Sequence, residues 1–371
     1  MNNLPATLAQ DVIELACTIQ AIPAPTFHEE ARAEFFFNWL QKAGLSDVQR
    51  DPAGNVLARL VGGTARPLVV SAHIDTVHPM GTSLTTKRAE NRITGPGIGD
   101  NALGTAALLG LIQALQAEKT QLPGDLWVVF NTCEEGLGDL RGIQAVVDRF
   151  GAEPIAYLVI EGMGLGTVLH RGLGVERYKI TAQTPGGHSW ANYGQPSAVH
   201  ELCGIVTRLA ALNLPRSPCT TLNVGIIHGG TSINTIASSA AMELDLRSED
   251  AGALEDLVSQ VEEIIRSARR PGVKVTMDRI GKRSAGSISP RHPLVQIACG
   301  VLKDLGMETR LDIASTDANM PLSRGYPAIC VGITNGNSAH TKEEYILTGQ
   351  ISKGMAQLYL LVTRVWSALE E

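Results

Sequence analysis

His73 and Asp75 close the apolar stretch Val69-Val70-Ser71-Ala72-His73-Ile74-Asp75, an imidazole and a carboxylate two positions apart. That spacing suits a metal ligand and the acid that orients it. A ligating His usually donates its second ring N–H to a carboxylate, which fixes the tautomer and raises the basicity of the ligating nitrogen. Further acids and one more His follow later apolar stretches: Asp100, the pair Glu134 and Glu135, Glu161 and His340. Two His with three or four carboxylates, and no Cys, make a hard-to-borderline donor set suited to Zn²⁺, Mn²⁺ or Co²⁺. Two such ions about 4 Å apart can hold a hydroxide between them and polarise a carbonyl.

Taken singly, each residue has a plainer role beside the chemical one. Asp100, in Gly95-Pro96-Gly97-Ile98-Gly99-Asp100 before an Ala/Leu-rich helix, reads as a helix N-cap or as a carboxylate bridging two ions. The glycines favour the second, since a loop so costly to order suggests a backbone forced close to something. Glu134 and Glu135 read as a solvated turn, or as one ligand beside one general base, with Gly136 permitting a sharp turn after them. Such a base works best with its pKa moved toward neutrality. Glu161, after Tyr157-Leu158-Val159-Ile160, would be costly to bury unless paired or metal-bound. His340, in a loop of small residues, gains meaning only from the company of the others.

The elements that must position these residues alternate. Leu8 to Ile19 and Glu30 to Leu40 carry helical spacing, Asn55 to Leu60 and Pro67 to Ser71 read as strands, and Ala102 to Leu115 reads as a helix. Asp125 to Asn131 and Ile155 to Ile160 are buried strands. The alternation predicts an α/β layer structure with helices on both faces, and ligands gather beyond the carboxyl ends of such strands. From Gly172 the order becomes strand, helix, strand, strand, helix, strand, a split ferredoxin-like α+β unit. The α/β pattern then resumes with a helix from Pro293, a strand from Pro327 and a long final helix to about Leu369. The expected division is a discontinuous metal-binding domain, 1–172 with 287–371, carrying an inserted domain, 173–286.

The bulk properties set limits. With 31 basic and 37 acidic residues, net −6, the chain offers no basic surplus for nucleic acid or anionic membrane. Its start lacks the basic region and long apolar core of a signal peptide, and no uninterrupted apolar run is expected to span a membrane. Six scattered cysteines, without a C-x-x-C, read as reduced thiols and a cytoplasmic setting.

The blocks Ser71-Ala72-His73-Ile74-Asp75-Thr76, Gly95 to Asp100 and Cys133-Glu134-Glu135-Gly136 resemble, in order, the signature blocks of the dinuclear zinc metallopeptidase family. That family includes aminoacylase, acetylornithine deacetylase, succinyl-diaminopimelate desuccinylase, peptidase T and the folate-cleaving glutamate carboxypeptidase. The resemblance covers essentially the whole chain. It implies a three-layer αβα catalytic domain with an inserted lid and dimerisation domain. It implies that His73, Asp100 and Glu161 hold one ion and that Asp100, Glu135 and His340 hold the other, with Asp100 bridging. Glu134 would be the general base, Asp75 the partner of His73, and the Asp100–Asn101 peptide cis. The resemblance implies two divalent ions, Zn²⁺ before Co²⁺ or Mn²⁺.

In the inserted domain, His188 lies in the turn Thr184-Pro185-Gly186-Gly187-His188. The resemblance implies that it reaches the active site of a partner subunit in a homodimer and steadies the oxyanion. Asn234 offers an amide donor, and Arg247 either grips a substrate carboxylate or forms a surface ion pair. Thr316-Asp317-Ala318-Asn319 and Asn335-Gly336-Asn337 would line the cleft near His340. Trp190, where relatives carry a small residue, adds bulk.

The expected activity is hydrolysis of an amide beside a free carboxylate in short peptides, of carboxypeptidase or peptidase T type. The alternative is deacylation of an N-acyl amino acid. A non-catalytic binding relative should have lost a ligand or the base, and none is missing.

Overall fold

The computed structural model describes residues 4–369. It divides into two compact units, one formed by the chain up to Gly172 and from Ser287 onward, the other by Leu173–Gly286.

In the first unit the buried strands alternate between two faces of one mixed sheet. Val56, Ala58, Leu68 and Val70 enter a core shared with the helices Leu8–Gln20, Glu30–Lys42, Gly104–Ala117, Pro293–Asp304 and Ile351–Leu369. Leu57, Val69, Val129 and Tyr157 enter the opposite core with Arg141–Phe150. Alternation of this kind is what a sheet covered on both faces requires, and it makes the three αβα layers. The strands run in the order Ser46–Arg50, Val56–Leu60, Gly124–Asn131, Ala65–His73, Ala156–Met163, Ala328–Thr334, Thr167–Gly172. Ala65–His73 lies parallel to both Gly124–Asn131 and Ala156–Met163, and Ala328–Thr334 is parallel to Ala156–Met163. The carboxyl ends of these four central strands therefore open on the same edge of the sheet, and the acids and imidazoles sit there.

Two differences from the sequence reading bear on the site, the start of one helix and a small sheet. The Ala/Leu-rich helix begins at Gly104, and Ile98–Leu103 before it is a wider turn in which Asp100 has non-helical dihedrals and caps nothing. Residues 98–117, although interrupted by Asp100 and Asn101, are long and apolar enough by composition to cross a membrane. However, 89% of that stretch is buried inside the fold, so it is the core helix. A small sheet was also missed, formed by Lys87–Ala89, Arg92–Thr94, Tyr345–Leu347 and Gly336–Asn337.

The second unit is an antiparallel sheet in the order Thr220–Gly229, Ser239–Ser248, Gly174–Gln183, Lys274–Arg283. The helices Ala198–Ala210 and Ala251–Ala268 pack their apolar stripes on one of its faces. Chain order and sheet order together are those of a ferredoxin-like fold.

Candidate metal centre

His73 is the last residue of its strand and is buried, with Nδ1 3.2 Å from the backbone carbonyl of Asp75. The Asp75 carboxylate is 3.4 Å from the same nitrogen. Its stronger bonds go elsewhere. Oδ1 accepts the Glu134 N–H, and Oδ2 accepts the Glu135 N–H and the Thr26 hydroxyl, each at 2.9 Å. Asp75 thus ties the end of one strand to the turn that carries both glutamates. Arg32, fully buried, fixes the same strand end by donating to the Ile74 carbonyl at 2.8 Å.

Asp100 stands between the two imidazoles. His73 Nε2 is 3.1 Å from its Oδ1 and 3.7 Å from Glu161 Oε2. His340 Nε2 is 3.0 Å from Asp100 Oδ2 and 3.3 Å from Glu135 Oε1. Beyond this ion-pair contact, the buried Glu135 Oε1 has no aligned hydrogen bond. The Asp100–Asn101 peptide is cis. Asn101 pins this loop to the Glu161 strand, donating to the Ile160 carbonyl and accepting the Gly162 N–H, both at 2.9 Å.

Two clusters result, His73–Asp100–Glu161 and Asp100–Glu135–His340, with the ligand atoms of each within 4.8 Å of one another. Tetrahedral ligands at about 2.0–2.1 Å from an ion lie about 3.3 Å apart. The imidazole–carboxylate distances of 3.0 to 3.7 Å bracket that edge. The donor set, the spacing and the buried Glu135 oxygen, which has no aligned hydrogen bond, fit a pair of divalent ions sharing Asp100.

The electrostatics agree. Burial raises Glu161 and Glu135 to about 7, aided by the like charges of Asp100 and Glu134. Burial also pushes up Asp100, but hydrogen bonds from His340 and His73 outweigh it and hold that carboxyl well below its usual range. Asp100 and Glu135 raise His340 to about 10. Burial opposes charge on His73, yet Glu161, Asp100 and Asp75 reverse the balance and raise it. Burial first and crowded negative charge second disfavour ionisation here, and a bound dication would offset both. Glu134 is buried in the same cluster, its charge felt by Glu135, Glu161 and Asp317.

Two groups went unassigned at the sequence level. Asp317, placed only loosely as a cleft residue, is fully buried: Oδ2 accepts from Asn131 at 2.7 Å and Oδ1 has no partner. Burial and then the Glu134 charge raise its pKa. Glu344 is also fully buried, and its carboxylate receives backbone N–H groups of the Asp100 loop.

Within the second unit, Gly187–His188 pairs with Thr235–Ile236, which brings His188 beside Asn234. His188 Nδ1 accepts from the backbone N–H of Trp190 at 3.1 Å and of Ala191 at 3.3 Å. The proton therefore sits on Nε2, and the exposed ring presents a donor. Asn234 Oδ1 accepts from Ser232, leaving its NH₂ group to donate. Arg247 is held through Nε by Asp245 at 2.7 Å, the surface ion pair of its plainer reading, with the rest of its fork outside that bond. Trp190 is 87% exposed.

The sequence profile of peptidase family M20/M25/M40 matches residues 69–364. The chain belongs to this family. It is accordingly a metal-dependent hydrolase of the M20 peptidase type. Among its relatives, a succinyl-diaminopimelate desuccinylase of Corynebacterium glutamicum is 27% identical over 93% of this chain and 94% of its own length. An acetylornithine deacetylase of Klebsiella pneumoniae is 26% identical over 94% of each chain. A Staphylococcus aureus tripeptidase structure shares the fold with a TM-score of 0.81 at 20% identity, over 96% of this chain and 98% of its own. The aminopeptidase PepT of Bacillus cereus does so at 0.80 and 18%, with the same coverage. The M20 fold class expected from the sequence, a layered catalytic unit with a second α+β unit, is the one these neighbours have.

Proposed function

We propose that this M20 enzyme is an exopeptidase that cleaves the amide bond next to a free carboxylate in short peptides. The observation that carries the proposal is the pair of ligand clusters sharing Asp100, with Glu134 buried alongside. His73, Asp100 and Glu161 would hold one ion, and Asp100, Glu135 and His340 the other. Zn²⁺ suits this donor set best, and Co²⁺ or Mn²⁺ can occupy it. Divalent ions held there would supply Lewis-acid polarisation of the scissile carbonyl and a lowered pKa for water.

Glu134 takes the proton of the attacking water and passes it to the leaving amine. Asp75 holds the Glu134 and Glu135 N–H groups and so fixes where both carboxylates start. His188, with its proton on Nε2, donates to the developing oxyanion from the 173–286 unit of a second copy in a homodimer. Asn234 and the free part of the Arg247 fork bind the substrate carboxylate. The cytoplasmic setting is supported by six free thiols and by the similarity to the cytosol non-specific dipeptidase of Escherichia coli, 24% identical over 78% of this chain.

A second reading, deacylation of an N-acyl amino acid, is favoured by the desuccinylase and acetylornithine deacetylase relatives. Kinetics on a panel of dipeptides, tripeptides, N-acetyl and N-succinyl amino acids, with Zn²⁺, Co²⁺ or Mn²⁺ added, separates the two. Higher kcat/KM on peptides supports the exopeptidase, and higher kcat/KM on N-acyl amino acids supports the deacylase. No metal-dependent turnover of any member would overturn both.

A further inference from the structure

The loop that delivers Asp100 is held by one residue from the far end of the chain. Glu344 accepts the Gly97 N–H through Oε2 at 3.1 Å. Its Oε1 accepts the N–H groups of Gly99 at 2.7 Å and of Asp100 itself at 2.8 Å. Its backbone carbonyl takes the Gly95 N–H at 2.8 Å. Gly97 has a φ of +72°, so this segment turns through a conformation open mainly to glycine and has few side chains of its own to hold it. A buried loop so rich in glycine needs its N–H groups satisfied from outside, and a carboxylate that gathers several is the stronger kind of acceptor.

Glu344 lies four positions past His340, and the following strand Tyr345–Leu347 pairs with Arg92–Thr94. One side chain therefore joins the segment that carries His340 to the segment that carries Asp100. We propose that Glu344 is a positioning residue of the metal centre, setting the separation of Asp100 and His340 without touching an ion or substrate. The inference rests on the assignment of those two residues as ligands.

Glu344→Gln tests it with little change of volume. One amide NH₂ must then face an N–H donor, so the loop loses at least one bond and shifts. The readout is Co²⁺ titration of the chelator-stripped protein, followed by the visible absorption of the bound ion. Roughly ten- to hundredfold weaker binding of the second equivalent is expected, as for other residues that support a ligand from behind, with an altered absorption band. Trp366→Phe is the control for general destabilisation, since it removes the part-buried hydrogen bond from Trp366, a buried side chain of the final helix, to the Arg66 carbonyl. That variant should lower the unfolding midpoint and leave the Co²⁺ titration unchanged. A Glu344→Gln protein that folds and binds two Co²⁺ with wild-type affinity and spectrum overturns the positioning role alone. A Glu344→Gln protein that loses affinity only as much as Trp366→Phe does the same. Wild-type protein that binds no Co²⁺ overturns the ligand assignment and this inference with it.

Discussion

Loading the centre at pH 7 should expel protons, and their number follows from the cluster. In the metal-free protein, Asp100 and Glu135 hold His340 protonated, its pKa raised to about 10. Burial works against a charged His73, but Glu161, Asp100 and Asp75 overcome it. Burial raises Glu135 and Glu161 to about 7, so each carries about half a proton at that pH. Ligation needs neutral imidazoles and ionised carboxylates, so filling both sites should release roughly three protons. Calorimetric titration with Zn²⁺ in two weakly coordinating buffers of different protonation enthalpy measures this number. All four groups have pKa values above their unfolded ones. The stability they give the metal-free protein is complete below about 4.5 for the carboxyls and 6.5 for the imidazoles; it is lost as pH rises through about 7 for the carboxyls, about 10 for His340 and the raised pKa of His73. The combined apparent affinity for two ions should therefore rise by up to about a thousandfold per pH unit near pH 7. The His340 side chain is 54% exposed, and solvent screening reduces its share. Release of less than one proton per two ions would refute the proposed ligand set.

Two substitutions test the supports of the centre. Asp75→Asn keeps the shape but turns an NH₂ toward the Glu134 or Glu135 N–H, stranding a buried donor at a cost of about 1–3 kcal/mol. A lower denaturation midpoint and weaker Zn²⁺ retention against a chelator are expected, and wild-type values in both would count against the role given to Asp75. Gly142→Ala would place a Cβ 2.1 Å from the Thr132 carbonyl oxygen and 2.6 Å from Asn55 Oδ1, directly behind the turn that bears the two glutamates. Overpacking there should cost about 1–3 kcal/mol in urea unfolding and reduce turnover. Gly300→Ala, on a helix with open space around it, should instead stabilise by about 0.4–1 kcal/mol.

Candidate ligands are legible where they follow an apolar run whose period gives the strand and whose end gives the position. His73, Glu135 and Glu161 needed only that local signal. The two-unit order was legible for the same reason, since alternation of two and of three to four residues survives in buried elements. What could not be read is contact across sequence distance. Glu344 meets its partners some 245 positions upstream, and nothing beside it marks a carboxylate as a loop acceptor. Sequence proximity pairs Asp75 with His73, its neighbour, while its shortest bonds go to residues 49, 59 and 60 positions away. The strands Lys87–Ala89 and Arg92–Thr94 are short and largely exposed, so they carry no alternation. The helix Arg141–Phe150 is different. Ile143, Val146, Val147 and Phe150 mark its buried stripe, a signal present in the sequence that could have found it.

The central claim is that Glu134 acts as the base beside two ions held by its neighbours. Glu134→Gln, loaded with two equivalents of Zn²⁺ and assayed on the best peptide of the panel, tests it most directly. Both ions should be retained and kcat should fall by about 10²- to 10⁴-fold, because the amide keeps the shape but cannot accept the proton. Undiminished kcat with both ions bound would contradict it.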